Sequence, residues 1–310
     1  MKGRLLQILR TESDVVSGEV LSSALGISRV SVWKHIHKLK EYGYPIDSTP
    51  KGYQLSGDPD VLYPWEFPTR ESKIHYFSEV SSTMDIARQK GRNGCPDFTV
   101  VIAGHQKKGR GRLNRKWISE VGGLYFTLVL RPRIPVALIS RVSFLASMTL
   151  ARVLRKLGDL DARVKWPNDI LVDERKVSGM LTELEAEADQ VNFINIGIGI
   201  NVNNEPGRSE PQAASLKELL GKPVSRRDLL DQFLNEFETR MNQADFDRVV
   251  SEWKKYTITL NRHVRIVTNL EISEGLAVDV DDSGALILKT ADGSLKKILY
   301  GDCFHQDERE

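Results

Sequence analysis

The chain has 310 residues, enough for two or three domains and a sizeable core. Hydrophobic residues at 40% and charged residues at 28% are ordinary for a globular protein and argue against global disorder. With 44 Lys and Arg against 42 Asp and Glu, the net charge is +2, so any nucleic-acid site must be a local patch. Two cysteines, Cys95 and Cys303, make neither a disulfide framework nor a zinc site, and a reducing cytoplasm is the simplest compartment. The opening MKGRLLQILRTES returns to charge too soon for a signal peptide. The longest apolar run, VSFLASMTLA (142–151), is broken by polar residues and fits a buried helix better than a membrane span.

In chain order, Leu5, Leu6, Ile8 and Leu9 recur at helical spacing. A second helix starts at Ser17 and ends before Gly26, and a third runs from Ser28 to about Tyr42. Residues 44–56 predict a hairpin turning at Thr49-Pro50-Lys51-Gly52. This order is that of a winged helix-turn-helix over 1–58. On the third helix Val32, Ile36 and Leu39 form an inward stripe, while Ser31, Lys34 and Lys38 face outward behind Ser28 and Arg29. That cationic face suits phosphates and base edges in a major groove. A solvated face of an ordinary three-helix domain is the competing reading, against which the glycine turn and the wing weigh. His35 and His37 have no visible partner cluster and read as surface residues.

Residues 59–70 hold three prolines without periodicity and read as a linker. Between 71 and 260 a mixed block follows, with strands expected at 99–106, 124–131, 163–172 and 191–203 and helices at 142–157 and 225–243. From 261 to 310, short alternating runs between DDSG and ADGS turns predict a small β-barrel.

The stretch GHQKKGRGRLNRKW (104–117) holds six Lys or Arg and no acid, with Gly109 and Gly111 between Arg110 and Arg112. Glycines let backbone close on a ligand, and arginines bring permanent forked charge for carboxylate or phosphate. Composition alone also allows a basic surface loop. It is not a dinucleotide fingerprint, since position 114 is Asn, and no GxxxxGK[ST] occurs in the chain. SST (81–83) offers hydroxyls at a helix start, where simple capping is an equal reading. KWPND (165–169) clusters an aromatic, a proline, an amide and an acid, and Lys176 follows in RKVSG. GIGIN (197–201) leaves one strand face bare, either for a flat ligand or for close helix packing.

SST, GRGR…RKW, KWPND, RKVSG and GIGIN in this order and spacing resemble the bifunctional biotin protein ligases, which also repress the biotin synthesis operon. The resemblance covers nearly the whole chain. It implies a winged helix-turn-helix, a central mixed-sheet domain like class II aminoacyl-tRNA synthetases, and a small SH3-like C-terminal barrel. It implies that biotin and ATP form biotinyl-5′-AMP with Mg²⁺, and that biotin passes to a lysine of a biotin carboxyl carrier domain. By this similarity Ser82, Thr83, Met84, Gln106, Gly109, Arg110, Gly111, Arg112, Lys176, Gly179 and Gly199 would contact biotin. Arg110, Arg112, Trp117, Lys165, Asn168, Lys176 and Asn201 would serve ATP. Arg110 and Lys176 would be catalytic. No side-chain metal ligand is assigned; Asp169 is the one candidate contact to Mg²⁺, and no general base is assigned. Ser28, Arg29, Ser31, Lys34 and Lys38 would bind operator DNA, with the adenylate-bound chain a homodimer and no membrane involved. The alternatives are a biotin-responsive transcription factor without ligase activity and a ligase whose DNA-binding domain has lost its operator. A lipoate ligase is disfavoured because GRGR stands where that family has RR-x-x-GGG-x-V-x-H-D. An amino-acid–tRNA ligase would need an anticodon module, for which there is no motif.

Overall fold

The computed structural model describes residues 1–12, 14–188 and 190–306, and of Asn114 only the backbone. Residues 307–310 of the expected barrel lie outside the described residues. The chain divides into two units, Met1–Ile74 and His75–Glu310.

The first unit starts with α1 (Lys2–Thr11), α2 (Gly18–Leu25) and α3 (Arg29–Glu41), followed by the hairpin β1 (Ile46–Thr49) and β2 (Gly52–Leu55). Local chemistry sets the boundaries. Ser17 caps α2 by accepting from the Val20 N–H, Gly26 ends it at φ +65°, and Ser28 caps α3 by accepting from the Ser31 N–H. Leu5, Leu6, Leu9, Leu21, Leu25, Val32, Ile36 and Leu39 are buried in one core. The stretch 59–70, expected to be a linker, packs against this core through Val61, Tyr63 and Trp65. The fully buried Glu66 carboxylate accepts from Tyr44 Oη and, at 2.9 Å, from Arg10 Nη2, so the acid is satisfied where it is buried. Burial and the adjoining Glu66 push the Tyr44 phenol well above its ordinary range.

The wing is tied to the loop before α2 by two backbone bonds, Val16 N–H to Tyr53 O at 2.8 Å and Tyr53 N–H to Val16 O at 2.9 Å. Gly52 holds φ +147°, and a β-carbon there would lie 2.1 Å from the Val16 carbonyl oxygen. That neighbour is backbone and cannot swing aside. Gly52→Ala is therefore expected to destabilise this unit by on the order of 2–3 kcal/mol, seen as a lowered melting transition; an unchanged melt would refute the constraint.

In the second unit, β3 (Ile74–Val80) leads to α4 (Thr83–Arg92), β4 (Thr99–Gln106), β5 (Leu124–Leu130) and α5 (Ile139–Arg155). Then come β6 (Arg163–Lys165), β7 (Asp169–Val172), β8 (Arg175–Glu187) and β9 (Gln190–Ile200). The seven strands lie in the order β3-β4-β5-β9-β8-β7-β6, antiparallel from β4 through to β6. The expected single strand 163–172 is a hairpin: Trp166-Pro167-Asn168 turn the chain, with the Trp166–Pro167 peptide cis. Helices α6 (Leu216–Leu220), α7 (Arg226–Asn242) and α8 (Phe246–Trp253) follow. Phe233 of α7 meets Phe126 of the sheet at 5.8 Å, and Trp253 of α8 stacks on Phe144 of α5 at 4.4 Å. The segment 136–155 is long and apolar enough to cross a bilayer, but more than half of its apolar window is buried within the fold as a core helix.

The chain ends in β10 (His263–Val267), β11 (Ile272–Val280), β12 (Leu286–Lys289), β13 (Leu295–Ile298) and β14 (Asp302–His305). These form a five-stranded antiparallel sheet in the order β13-β12-β11-β10-β14. Among the described residues β13 and β14 are not paired, so the sheet is not seen to close into a barrel.

Candidate active site

The sequence motifs converge on one cavity of about 190 Å³ in the second unit. The start of α4 supplies its polar floor. Ser82 caps α4, its hydroxyl accepting from the Met84 N–H at 3.3 Å, so the capping role is real, yet the residue also lines the cavity. Thr83 donates its N–H and its hydroxyl to Gln106 Oε1 at 2.8 and 3.0 Å, Thr127 donates to Thr83 at 2.8 Å, and Gln106 Nε2 donates to Ser119 at 3.0 Å. This buried chain fixes the Gln106 amide and leaves few rotamers open.

Opposite, β8 and β9 run side by side with Gly179 facing Gly199 and Leu181 facing Gly197. The sequence left this face either for a flat ligand or for a packed helix; the Trp117 indole covers it at Gly179 and Gly199. A β-carbon at Gly199 would lie 2.4 Å from Trp117 Cε2, and one at Gly179 would lie 2.9 Å from Cζ3. Lys176 Nζ stands 5.4 Å from the same ring, close enough for a cation–π contact, and 2.9 Å from Asp169 Oδ2. The Trp117 Nε1 is buried without a hydrogen-bond partner.

The glycine-arginine loop joins these walls. Gly109 carries Trp117 by accepting its N–H at 2.9 Å, and Gly111 donates to Arg115 O at 2.7 Å, which narrows the loop. Arg110 Nη2 lies 2.9 Å from Asp85 and 3.7 Å from Glu183. Both contacts are ion pairs, and Nε and Nη2 are buried without a hydrogen-bond partner. Arg112 reaches Asn168 Oδ1 at 3.4 Å and Gly301 O at 3.3 Å. Burial pushes its guanidinium below the ordinary range, with Asp302 and Asp169 opposing. Asn168 itself is held by its side-chain amide donating to Met180 O.

Thirteen of the expected residues line the cavity: Ser82, Thr83, Met84, Gln106, Arg110, Gly111, Arg112, Trp117, Lys165, Asn168, Lys176, Gly179 and Gly199. Asp169 lines it too. Gly109 lies behind Trp117 and does not. Asn201 faces a separate hollow of about 30 Å³ beside Trp117, where it accepts from Asn204 at 3.0 Å. Sequence reasoning missed Arg115, Gly197 and, above all, the C-terminal strand: Asp302, Cys303 and Phe304 form part of the wall. Arg115 pairs with Asp302 at 2.6 Å and stacks toward Phe304 at 5.7 Å. Burial pushes the Cys303 thiol up to about 12, so it is inert toward electrophiles near neutrality.

Next to this wall, the His305 ring lies 3.3 Å from Thr259 Oγ1 and 3.6 Å from Glu174, which pairs with Arg262 at 2.8 Å. Burial, then Lys165 and Arg262, press His305 down to about 4 from 6.5, with Glu174 opposing. The unfolded chain therefore binds this proton more readily than the folded one. The stability His305 contributes is present above about pH 6.5 and is lost as pH falls toward 4. His305→Gln should lose less melting temperature than the parent between pH 7 and pH 5, by about 1 °C or more; parallel losses would contradict this.

A biotin/lipoate A/B protein ligase family model matches residues 76–202, an HTH domain model matches 3–54, and a biotin protein ligase C-terminal domain model matches 259–306. The bifunctional ligase/repressor BirA of Bacillus subtilis is 33% identical, with 94% of each chain covered. The chain belongs to the bifunctional biotin protein ligase/repressor family. The BirA of Escherichia coli is 30% identical over 92% of this chain and 91% of that one. A structure of the Aquifex aeolicus biotin protein ligase in complex with biotin and ATP matches with a TM-score of 0.64 at 27% identity, covering 76% of this ligase chain and 98% of that one.

In the helix-turn-helix of this ligase family member, the expected DNA face is partly engaged. Ser28 and Ser31 share a hydroxyl contact at 3.0 Å within the α3 cap. Lys38 pairs with Glu41 at 2.6 Å, which raises the lysine and lowers the acid. Arg29 and Lys34 are exposed.

Proposed function

We propose that this ligase condenses biotin with ATP to biotinyl-5′-AMP and pyrophosphate, then passes biotin to a lysine of a biotin carboxyl carrier domain. The observation that carries the reading is that SST, GRGR…RKW, KWPND, RKVSG and the GIGI strand meet in one cavity. Ser82, Thr83 and Gln106 would hydrogen-bond the biotin head group, with Met84, Gly179 and Gly199 against its apolar side. Arg110 would exchange Asp85 for the ligand's carboxylate and phosphate as Gly109 to Arg112 closes, shielding the mixed anhydride from water. Lys176 would stand where charge develops. Trp117, Lys165, Asn168, Asn201 and Arg112 would serve ATP.

Among the described residues no cluster of three His, Cys, Asp or Glu is arranged to hold a metal. In this reading Mg²⁺ would arrive on the ATP phosphates, and Asp169 would be its side-chain contact. When bound, Mg²⁺ screens the phosphate charge. The five-stranded C-terminal sheet would act as the SH3-like barrel of the family, and the central sheet as its synthetase-like scaffold.

The helix-turn-helix would bind an operator of biotin genes, with the adenylate-bound chain dimeric and two half-sites read about 34–36 Å apart or a multiple of it. Incubation with biotin, ATP, Mg²⁺ and a carrier domain should give pyrophosphate and one biotinylated carrier lysine. Operator binding should tighten with biotin and ATP and weaken steeply with salt. Ligase turnover without salt-dependent DNA binding would leave the enzyme and remove the repressor; DNA binding without pyrophosphate release would do the reverse.

A further inference from the structure

The outward face of α3 is not uniformly polar. Val30 is 64% exposed and Trp33 is 55% exposed, both in the N-terminal half of the helix. Trp33 stacks on His37, the rings 5.5 Å apart and nearly parallel at 9°, and so points away from the core. Neither residue belongs to the buried stripe of Val32, Ile36 and Leu39. Removing two large apolar side chains from water on this face would be favourable only against a partner. The partner must also match cations: Arg29 and Lys34 flank the pair on α3, and Lys51 lies across a cleft of about 530 Å³ between α3 and the wing. A polyanion carrying small apolar spots satisfies both demands. In the DNA major groove, the apolar feature that base pairs present is the C5-methyl group of thymine. The N-terminal half of a recognition helix is the part that reaches base edges.

We propose that Val30 and Trp33 read thymine methyl groups in the major groove, while Arg29, Lys34 and Lys51 hold the flanking phosphates. The inference rests on the DNA-binding reading above and adds the chemistry of its specificity. It assigns base discrimination to two residues that composition and charge pass over, and positioning to the cations.

The test uses the full chain with biotin, ATP and Mg²⁺ to select duplexes from a random pool, and then resynthesises the enriched duplex with deoxyuridine in place of thymidine. Only the methyl groups are lost. The expected weakening is about fourfold for each buried methyl, and on the order of tenfold with one contact in each half-site. Trp33→Ala should bind the thymine duplex about as weakly as the parent binds the uracil duplex, and should distinguish them less. Trp33→Phe, which keeps an apolar ring, should retain the preference. Far-UV circular dichroism should be the same for all three, since Trp33 lies outside the core. Equal binding of both duplexes by the parent, with specific and salt-dependent affinity, would overturn this proposal and leave the DNA reading intact. A full thymine preference in Trp33→Ala would also overturn it. Failure to enrich any duplex would overturn both.

Discussion

Replacing Lys176 with alanine is expected to slow pyrophosphate release from biotin and ATP by about 10²–10³-fold. The backbone of this residue is held on both sides, its N–H donating to Gln212 O at 2.8 Å and its carbonyl accepting from the Ala214 N–H at 3.0 Å. The ammonium group is thus delivered to the cavity from a rigid strand start rather than a loop. There it has one acidic partner, Asp169 at 2.9 Å, and the face of Trp117 below it. As a partly exposed pair the Lys176–Asp169 contact is worth only about 0–1 kcal/mol of stability. The large effect therefore belongs to the reaction. Adenylation drives a carboxylate against a polyanion, and without Lys176 the Asp169 charge would add to that repulsion. Pyrophosphate release without an acceptor isolates this step. Parent-like release in Lys176→Ala would take the residue off the catalytic machinery, and a loss of melting temperature with normal release would make it structural.

Gly199→Ala is expected to lower kcat/KM for ATP by about 100-fold. Its β-carbon would stand 2.4 Å from Cε2 and 2.6 Å from Nε1 of the Trp117 indole, a rigid ring with no flexible end to give way. Trp117 would have to leave the strand and carry the end of the arginine loop with it, because its N–H is bonded to Gly109 O. The overpacking itself costs about 1–3 kcal/mol, less than most domains can lose before unfolding. Gly179→Ala provides the graded comparison. Its β-carbon would meet the ring at 2.9 Å and the end of the Lys176 chain at 3.2 Å. The smaller overlap predicts a smaller kinetic effect. If Gly179→Ala proved the more damaging, or if both left kcat/KM unchanged, the indole would not be packed as described.

The parts of this molecule that were legible in the sequence are those set by local chemistry. Ser17, Gly26 and Ser28 bound their helices because caps act within a few residues. Most of the cavity residues sit in compact motifs, each at the end of a strand or the start of a helix, which is why short strings could be read as chemistry. What escaped was tertiary. The hairpin at 163–172 was read as one strand because nothing local marks Trp166-Pro167-Asn168 as the turn between its two arms. Strand β8 was not expected: beyond Met180 it reads Leu-Thr-Glu-Leu-Glu-Ala-Glu, a charged pattern that carries no ligand signal. The wall made by Asp302, Cys303 and Phe304 depends on Arg112 and Arg115 meeting a strand far along the chain. Trp117 covering Gly179 and Gly199 is likewise a contact between loop and sheet that spacing alone does not encode. Residues 59–70 read as a linker from their prolines, yet Tyr63, Trp65 and Glu66 are bound by Tyr42, Tyr44 and Arg10.

The central claim is that this cavity makes and retains an activated biotin. Native mass spectrometry of the purified chain with biotin, ATP and Mg²⁺, and no acceptor, tests it directly. The account predicts a retained adduct of biotinyl-adenylate mass, with pyrophosphate released in equal amount and a shift toward dimer. A spectrum of the bare chain with no pyrophosphate in solution would contradict it.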